Sequence, residues 1–229
     1  MKNHIRRNFS RAACTYNEFG KTQQKIADDF AHKLLKLKAP SSILEIGCGT
    51  GFLSHYLADY ACPIVVSDLS SEMVEKLNIP KALPVVYDGE YFPFKQSFDW
   101  IVSSLAFQWF QHPATTLSML KQHSQTLAFT TLGNNNFLEW KTFCALNHIE
   151  NRTPPMLSMA DLKAILGRDI SIEETYYSEY HPNWLSFWNS IYKIGAQTSF
   201  QPKVKSIPKS LFLQEPITCT YHVLTVIAQ

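Results

Sequence analysis

An acid followed by three glycines at alternate positions, and a second acid further along, are the residues of this chain best suited to chemistry. Residues 43–51 read Ile-Leu-Glu-Ile-Gly-Cys-Gly-Thr-Gly, and the apolar run 64–67 is followed by Asp68. Glycines permit positive φ angles and let a ligand approach the backbone without a Cβ in the way. A buried strand, a glycine turn, a helix and a second strand ending in a carboxylate form the general nucleotide-binding βαβ unit. The two stretches therefore predict a nucleotide site.

The spacing of the glycines distinguishes between kinds of nucleotide site. Dinucleotide-binding turns have the order Gly-x-Gly-x-x-Gly, whereas here Glu45 is followed by Gly47, Gly49 and Gly51. This order resembles the signature of class I S-adenosylmethionine-dependent methyltransferases. The alternative is a structural glycine turn in some other α/β protein.

The resemblance implies a position for the cofactor, S-adenosyl-L-methionine. Its ribose hydroxyls donate to Asp68, and Glu45 lies near its cationic methionine end. Asp88, after the third strand, accepts from the adenine amino group, unless Asp88 and the glycine after it form only a turn. Ser104, at the tip of the fourth strand, faces the methyl-transfer position. The predicted cofactor-binding residues are Glu45, Gly47, Gly49, Gly51, Asp68, Leu69, Met73, Asp88, Gly89, Glu90 and Ser104.

The elements that position these residues alternate between strands and helices. Such alternation predicts a doubly wound α/β fold, and the resemblance implies a mostly parallel, seven-stranded, Rossmann-like sheet in a single domain, 1–229. The predicted strands are 42–46, 64–67, 83–87, 98–104, 125–131, 170–178 and 217–227, the last in the edge region of the sheet. The predicted helices include 8–37, 51–60, 113–121 and 159–166.

Helical segments are expected at both ends of this domain. An amino-terminal helical cap covers about 1–40, and a helical insertion covers about 180–212. The insertion contains a strongly aromatic helix with Trp184, Phe187 and Trp188. It resembles a lid over the ligand edge of the sheet, and an ordinary amphipathic core helix is the other interpretation.

Composition restricts the class of protein. The chain has 229 residues, of which 45% are apolar and 17% charged, and these are globular values. A net charge of +2 gives no support to nucleic acid as a partner. The five cysteines show no metal-ligand spacing, so we expect reduced thiols in the cytoplasm and no metal. No apolar run is long enough to span a membrane. We therefore expect a soluble, monomeric cytoplasmic protein.

Short matches along almost the whole chain point to one subfamily. They resemble the malonyl-acyl-carrier-protein O-methyltransferases of biotin synthesis, the BioC type. The matching segments are 9–13 with Tyr16, 104–109, 128–132, 194–196, 220–222 and 226–228. Two features depart from that pattern. Ser104 stands where the subfamily usually has Asn, and 121–124 replace its usual turn before the fifth strand.

This resemblance implies a reaction and a substrate. Members methylate the free carboxylate of a malonyl thioester carried on acyl carrier protein, which gives an ester that primes pimeloyl and biotin synthesis. A carboxylate is already ionised at neutral pH, so no catalytic base is expected. A buried carboxylate needs a counter-charge, for which Arg152 is the candidate, unless it is a solvated surface residue. The predicted substrate-binding residues are Tyr16, Phe107, Gln108, Trp109 and Arg152.

Exposed cations are the candidates for docking an acidic acyl carrier protein. They fall in two clusters that flank the expected lid, and the alternative is that both are simply solvated faces. The clusters are Arg6, Arg7, Arg11, Lys21 and Lys25, and Lys193, Lys203, Lys205 and Lys209.

Two other functions remain open at this point. One is a methyltransferase for a small free carboxylic acid of the trans-aconitate type, which shares a similar tip on the fourth strand. The other is a protein that binds S-adenosylmethionine without catalysis. A damaged cofactor site would mark the second, but the acids and glycines are intact here.

Overall fold

A computed structural model describes residues 2–197, 209–213 and 215–229. Within them the chain forms a seven-stranded sheet of order β3-β2-β1-β4-β5-β7-β6. The strands are β1 Ile43–Ile46, β2 Ile64–Asp68, β3 Ala82–Val86, β4 Phe98–Ser104, β5 Ser124–Leu132, β6 Ser171–His181 and β7 Ile217–Ala228. The first five strands are parallel, and β7 runs antiparallel between β5 and β6. The predicted doubly wound, mostly parallel sheet is confirmed.

Helices cover both faces of the sheet. They are α1 Lys2–Ala12, α2 Tyr16–Phe19, α3 Lys21–Leu34, α4 Ser54–Leu57, α5 Ser71–Val74, α6 Pro113–Gln122, α7 Leu138–Leu146, α8 Met159–Leu166, α9 Trp184–Lys193 and α10 Lys209–Phe212, with a 3₁₀ turn at Phe107–Trp109. Within the described ranges, no helix is both long and apolar enough to cross a membrane.

Strand β1 lies between two hydrophobic cores, one on each face of the sheet. All four of its residues are buried, as expected of a parallel strand covered on both faces. Ile43 packs into the core that contains Phe30 of α3, whereas Leu44 and Ile46 point to the opposite core beneath α6 and α8. Glu45 shares the face of Ile43, because side chains alternate along a strand. The strand order reverses between β1 and β4, so ligands are expected at the carboxyl ends of these strands.

Three predicted elements differ from the structure. The helix predicted over 51–60 is an α-helix only at Ser54–Leu57, because the Asp59 and Tyr60 N–H groups donate to carbonyls three residues earlier. The helix predicted over 8–37 is three helices, because the chain turns at 13–15 and again at Gly20, where a Cβ would lie 2.6 Å from the Tyr16 carbonyl oxygen. The break lets α2 present Tyr16 to the sheet edge. The last strand, β7, was expected in the edge region but lies inside the sheet, where most of its residues are buried; β6 forms the edge.

Candidate active site

The turn that follows β1 contains three glycines with positive φ angles, and a Cβ would meet different surroundings at each of them. Gly47 has a φ of 73°, and a Cβ there would lie 2.3 Å from the Cβ of Ala106, beyond the tip of β4. Gly49 has a φ of 54°, and its Cβ position is open space. Gly51 has a φ of 100°, which favours glycine, and a Cβ there would also lie 2.8 Å from Leu77 Cδ2. The turn therefore presents its open backbone at Gly49.

Asp68 at the end of β2 is tied directly to this turn. Its Oδ2 accepts from the Gly49 N–H at 2.9 Å, and its Oδ1 accepts from the Ser70 N–H at 2.8 Å. Burial raises the pKa of Asp68, although these backbone donors act in the opposite direction. The Leu69 N–H is a third backbone donor to this carboxylate, which has about four lone-pair positions in all. A position therefore remains for a hydroxyl donor such as that of a ribose.

Glu45 is a buried acid beside the same turn. It is 1% exposed, and its Oε2 accepts from the Ser54 hydroxyl at 2.5 Å. Burial raises the pKa of Glu45 to about 8, and the negative charge of Asp68 adds to this effect. A cation placed beside Glu45 would stabilise its ionised form. The residue therefore fits the ammonium end of a methionine group.

A second pair of acids is held by the amino-terminal helix. Lys2 of α1 forms ion pairs with Asp88 and Glu90, and its ammonium lies 5.1 Å from the centre of the Tyr91 ring. Asp88 Oδ1 also accepts from the Glu90 N–H at 3.1 Å. The involvement of Lys2 is not predictable from local sequence, since more than eighty residues separate it from these acids.

These residues surround a cavity of about 100 Å³, here called the cofactor cavity. Most of the predicted cofactor residues line it: Gly47, Gly49, Asp68, Leu69, Met73, Asp88, Gly89, Glu90 and Ser104. Glu45 lines a smaller adjoining cavity, the methionine-side cavity, and Gly51 lines neither. Lys2, Ile5 and Phe9 of α1 and the aromatic Tyr87 and Phe110 also line the cofactor cavity. Sequence reasoning did not predict these.

A larger cavity of about 200 Å³, the substrate cavity, adjoins the cofactor cavity. Tyr16, Gln108, Trp109 and Arg152 line it, as expected of the predicted substrate residues. Phe107 does not, because it is 2% exposed and packs in the core with its ring 4.8 Å from that of Phe129. The remaining wall is largely aromatic and includes Phe137, Trp140, Trp188 and Tyr221.

Among the described residues that line this cavity, Arg152 carries the positively charged side chain, and its ion pair with Glu150 is long. Its Nε lies 3.5 Å from Oε2 of Glu150, and 24% of its side chain is exposed. The wall also contains Glu150, but no histidine, cysteine or lysine within the described part of the chain. Arg152 is therefore placed to meet an anion in the cavity.

The two large cavities meet at a backbone position with unusual geometry. Leu105 has a φ of 53°, a conformation that side chains other than glycine rarely adopt. Its N–H donates to the Thr130 carbonyl at 3.0 Å, and its own carbonyl accepts from Gln108 Nε2 at 2.6 Å. Strained residues held by such bonds cluster at functional sites. Together with Tyr16, Leu105 lines all three cavities.

The predicted docking cations lie mainly near α1 and α9. Arg6, Arg7, Arg11, Lys21, Lys25 and Lys193 are exposed. Arg11 lies 4.2 Å over the ring of Tyr192 on α9, and Lys193 lies 5.5 Å over the ring of Phe19. Lys203, Lys205 and the side chain of Lys209 lie outside the described residues. The first and second clusters thus meet where α1 contacts the end of α9.

The fold and the site together define a class I methyltransferase, whose methyl donor is S-adenosylmethionine. The sequence profile of the family described as "Methyltransferase domain" matches residues 19–168. The chain belongs to this family and, by its 32% identity to the malonyl-[acyl-carrier protein] O-methyltransferase of Magnetococcus marinus, to the group that this enzyme represents. That alignment covers 96% of this chain and 90% of the relative. The predicted family resemblance is confirmed.

Two further comparisons extend this result. The chain is 32% identical to the biotin biosynthesis bifunctional protein BioCD of Bordetella avium, over 84% of this chain but only 43% of that longer protein. The magnesium protoporphyrin IX methyltransferase of Synechocystis, solved with bound S-adenosylhomocysteine, superposes with a TM-score of 0.55 at 15% identity and covers 90% of this chain and 83% of that one. The structural likeness supports the fold alone.

Proposed function

We propose that this protein transfers a methyl group from S-adenosylmethionine to the free carboxylate of a malonyl group on acyl carrier protein. The supporting observation is that the substrate cavity joins the cofactor cavity at Tyr16 and contains Arg152 as its described cation. The relative from Magnetococcus marinus is named for this activity, and the bifunctional relative is named for biotin biosynthesis. The product, a malonyl methyl ester, then enters biotin synthesis.

The cofactor cavity and the adjoining methionine-side cavity offer acidic side chains to the hydrogen-bond donors and the positive charge of S-adenosylmethionine. In this proposal Asp68 accepts from the ribose hydroxyls, and Glu45 compensates the ammonium of the methionine end. Asp88 accepts from the adenine amino group, with Lys2 holding it in place. Gly49 leaves room for the ligand, since a Cβ there would point into open space. When bound, the cofactor supplies a methyl group that its sulfonium makes electrophilic.

The chain contributes alignment rather than proton transfer. The acceptor carboxylate is already an anion, so its oxygen needs no base. Arg152 draws the anion into the cavity, and the aromatic wall excludes water around it. Leu105 and Tyr16 form the passage through which the two reactants meet. Gln108 holds the strained backbone of Leu105 in place.

The proposal extends to the carrier and to the organisation of the protein. The exposed cations of α1, α3 and α9 form a docking face for an acidic carrier protein, which an ionic contact would guide to the cavity. We also propose a monomer in which the chain forms one methyltransferase domain, with an amino-terminal cap and a helical lid. The five cysteines are free, which suits the reducing cytoplasm.

Growth of a bacterium that lacks its own malonyl-carrier methyltransferase tests this function in a cell. Expression of this chain should restore growth without biotin, and the variant Asp68→Asn should not, because it removes the acceptor for the ribose hydroxyls. Both proteins must be present at equal levels, as an immunoblot can verify. If the intact chain is well expressed but growth still requires biotin, the proposed function is wrong.

A further inference from the structure

Two of the three cavities, the substrate cavity and the methionine-side cavity, share a polar side chain within a largely aromatic wall. Tyr16 and Leu105 line all three, and Gln23 of α3 lines both the substrate cavity and the methionine-side cavity. Arg152, by contrast, lines the substrate cavity alone. The reacting ends of donor and acceptor must meet where the cavities overlap. Gln23, unlike the proposed counter-charge, therefore lies where the substrate cavity adjoins the methionine-side cavity.

Gln23 lies beside Tyr221 of β7. Gln23 is 8% exposed and Tyr221 is 3% exposed, and the Gln23 amide is near enough to the Tyr221 phenol to lower its pKa as a hydrogen-bonding neighbour. Their surroundings are apolar: the Tyr221 ring contacts Phe137, with 4.7 Å between ring centroids. Burying an amide and a phenol in such a wall is unfavourable unless their polar atoms are paired.

The pair has hydrogen-bonding capacity left over. A primary amide has two N–H donors and a phenol has one O–H donor. When one amide N–H donates to the phenol oxygen, the second amide N–H and the phenol O–H remain. Among the described residues no other hydrogen-bond partner of either side chain is found. Burial raises the pKa of Tyr221 well above its ordinary value, and Glu179 adds to this, so the phenol keeps its proton at neutral pH.

We propose that Gln23 and Tyr221 bind the carboxylate that accepts the methyl group and aim its oxygen at the donor. This inference rests on the proposed function and deepens it. Two neutral donors fix the orientation of an anion but do not neutralise its charge as an ion pair would. One carboxylate oxygen forms the new O–C bond while the C–S bond breaks, the electron pair of that bond stays on sulfur, and no proton moves. Arg152 supplies long-range attraction, whereas the neutral pair fixes the final geometry.

The variants Tyr221→Phe and Gln23→Leu each remove hydrogen-bonding groups at nearly constant volume. We expect kcat on malonyl-acyl carrier protein to fall about 10- to 100-fold in each, the range for a hydrogen bond to a charged group. The double variant should fall little further, because the two side chains act as one unit. Arg152→Met should instead mainly raise KM. Tyr180→Phe, at a 71% exposed position on β6, is the matched control and should resemble the intact protein.

A charged variant separates substrate binding from a structural role. Gln23→Glu keeps the shape of the side chain but places a negative charge against the acceptor carboxylate. Its activity should be very low at pH values where the new glutamate is ionised and should recover as the pH falls and the glutamate is protonated. The intact protein should not show this recovery. A side chain that only supports packing would produce no such pH profile.

Folding and cofactor binding are measured on the same variants by thermal unfolding and by calorimetry with S-adenosylmethionine. For Tyr221→Phe, whose side chain lines the substrate cavity alone, the inference predicts a cofactor Kd within about twofold of the intact protein. It is overturned if kcat of Tyr221→Phe is unchanged, or if cofactor affinity falls as much as kcat does. Failure of the intact protein to methylate the malonyl carrier overturns the proposed function itself, so the two failures are distinguishable.

Discussion

Glu45 is a carboxyl group that the fold removes almost completely from water, beside the cavity where a cationic ligand is proposed. Among the described residues, the only hydrogen bond to its carboxyl oxygens comes from Ser54, and burial raises the pKa of Glu45 to about 8. Such a residue is poorly stabilised as an anion until a cation arrives. The buried acid therefore links cofactor binding to pH.

That link makes a prediction for S-adenosylmethionine affinity. In the free protein Glu45 is mostly protonated below about pH 8, and binding of the ammonium should expel its proton. Affinity should therefore rise with pH between about 6 and about 8, by at most about tenfold per pH unit. Calorimetry in buffers of different ionisation enthalpy would show the released proton.

Glu45→Gln is the control for this effect, because it removes the titrating group and keeps its shape. In this variant, any pH dependence of the affinity that remains comes from ionisation of S-adenosylmethionine itself. Equal pH dependence in the variant and the intact protein would contradict the role of Glu45. The stability of the free protein should depend on pH in the opposite direction. Because the pKa of Glu45 is higher in the folded state, its contribution to the free energy of unfolding falls as pH rises from about 4.5 to about 8.

The residues of the site were predictable only where a local pattern fixes them. The alternating glycines and the acids at strand ends have a spacing that βαβ geometry demands, so the sequence predicts their position at one sheet edge. Lys2, Gln23 and Tyr221 come from segments far apart in the chain, and no local rule joins them. Phe107 was misjudged because its neighbours Gln108 and Trp109 turn toward the cavity while its own ring turns into the core.

At the scale of elements, α1 covers the cofactor cavity. Ile5 and Phe9 line that cavity, and Ser10 at the far end of the helix donates to Glu72 of α5 at 2.6 Å. Lys2 anchors the near end through Asp88 and Glu90. Because α1 lines this cavity and is anchored at both ends, we expect these anchors to influence release of a bound cofactor.

Lys2→Met is expected to speed release of S-adenosylhomocysteine. A partly exposed ion pair contributes about 1 kcal/mol or less, so we expect an increase of about two- to fivefold in the dissociation rate. Stopped-flow fluorescence can measure this rate, since Trp109 lines the same cavity. Asn3→Met, at an exposed position one residue later, should leave the rate unchanged. An unaltered rate in Lys2→Met would show that α1 does not gate the cavity.

Periodicity predicted most elements and failed where the tertiary context decides. Strand β4 was predicted at its observed bounds, because a short segment centred on the apolar Trp100, Ile101 and Val102 is typical of a buried parallel strand. The helix predicted over 8–37 is interrupted at 13–15 and at Gly20, where a Cβ would lie 2.6 Å from the Tyr16 carbonyl oxygen and 3.3 Å from Phe52 Cε2. The position of β7 inside the sheet depends on antiparallel pairing with two distant strands, which its own alternation does not reveal.

At the scale of the whole molecule, charge is arranged around one end of the sheet. The overall charge of +2 is small, yet Arg6, Arg7 and Arg11 are all exposed on one short helix whose inner face lines the cofactor cavity. Lys36 and Lys38 are also exposed, but they lie before β1, at the opposite, amino-terminal end of the strands. Variants of the α1 arginines can therefore be compared with variants of Lys36 and Lys38, which change the net charge equally at the other end of the strands.

Reversing the charges of α1 should weaken recognition of the carrier protein only. In Arg6→Glu/Arg7→Glu we expect KM for malonyl-acyl carrier protein to rise about tenfold at low salt and its salt dependence to flatten. KM for a small malonyl thioester should not change. Lys36→Glu/Lys38→Glu should behave as the intact protein in both assays. An equal rise in KM for both double variants would show that net charge, rather than this face, is responsible.

The central claim is that a malonyl carboxylate on acyl carrier protein receives the methyl group. Its most direct measurement incubates the protein with S-adenosylmethionine labelled in the methyl group and with malonyl-acyl carrier protein, beside acetyl-acyl carrier protein and free trans-aconitate. The account predicts label on the malonyl carrier alone, as a methyl ester that mild base releases as methanol. Label on trans-aconitate with none on the malonyl carrier, or label on the acetyl carrier, which has no free carboxylate, would contradict it.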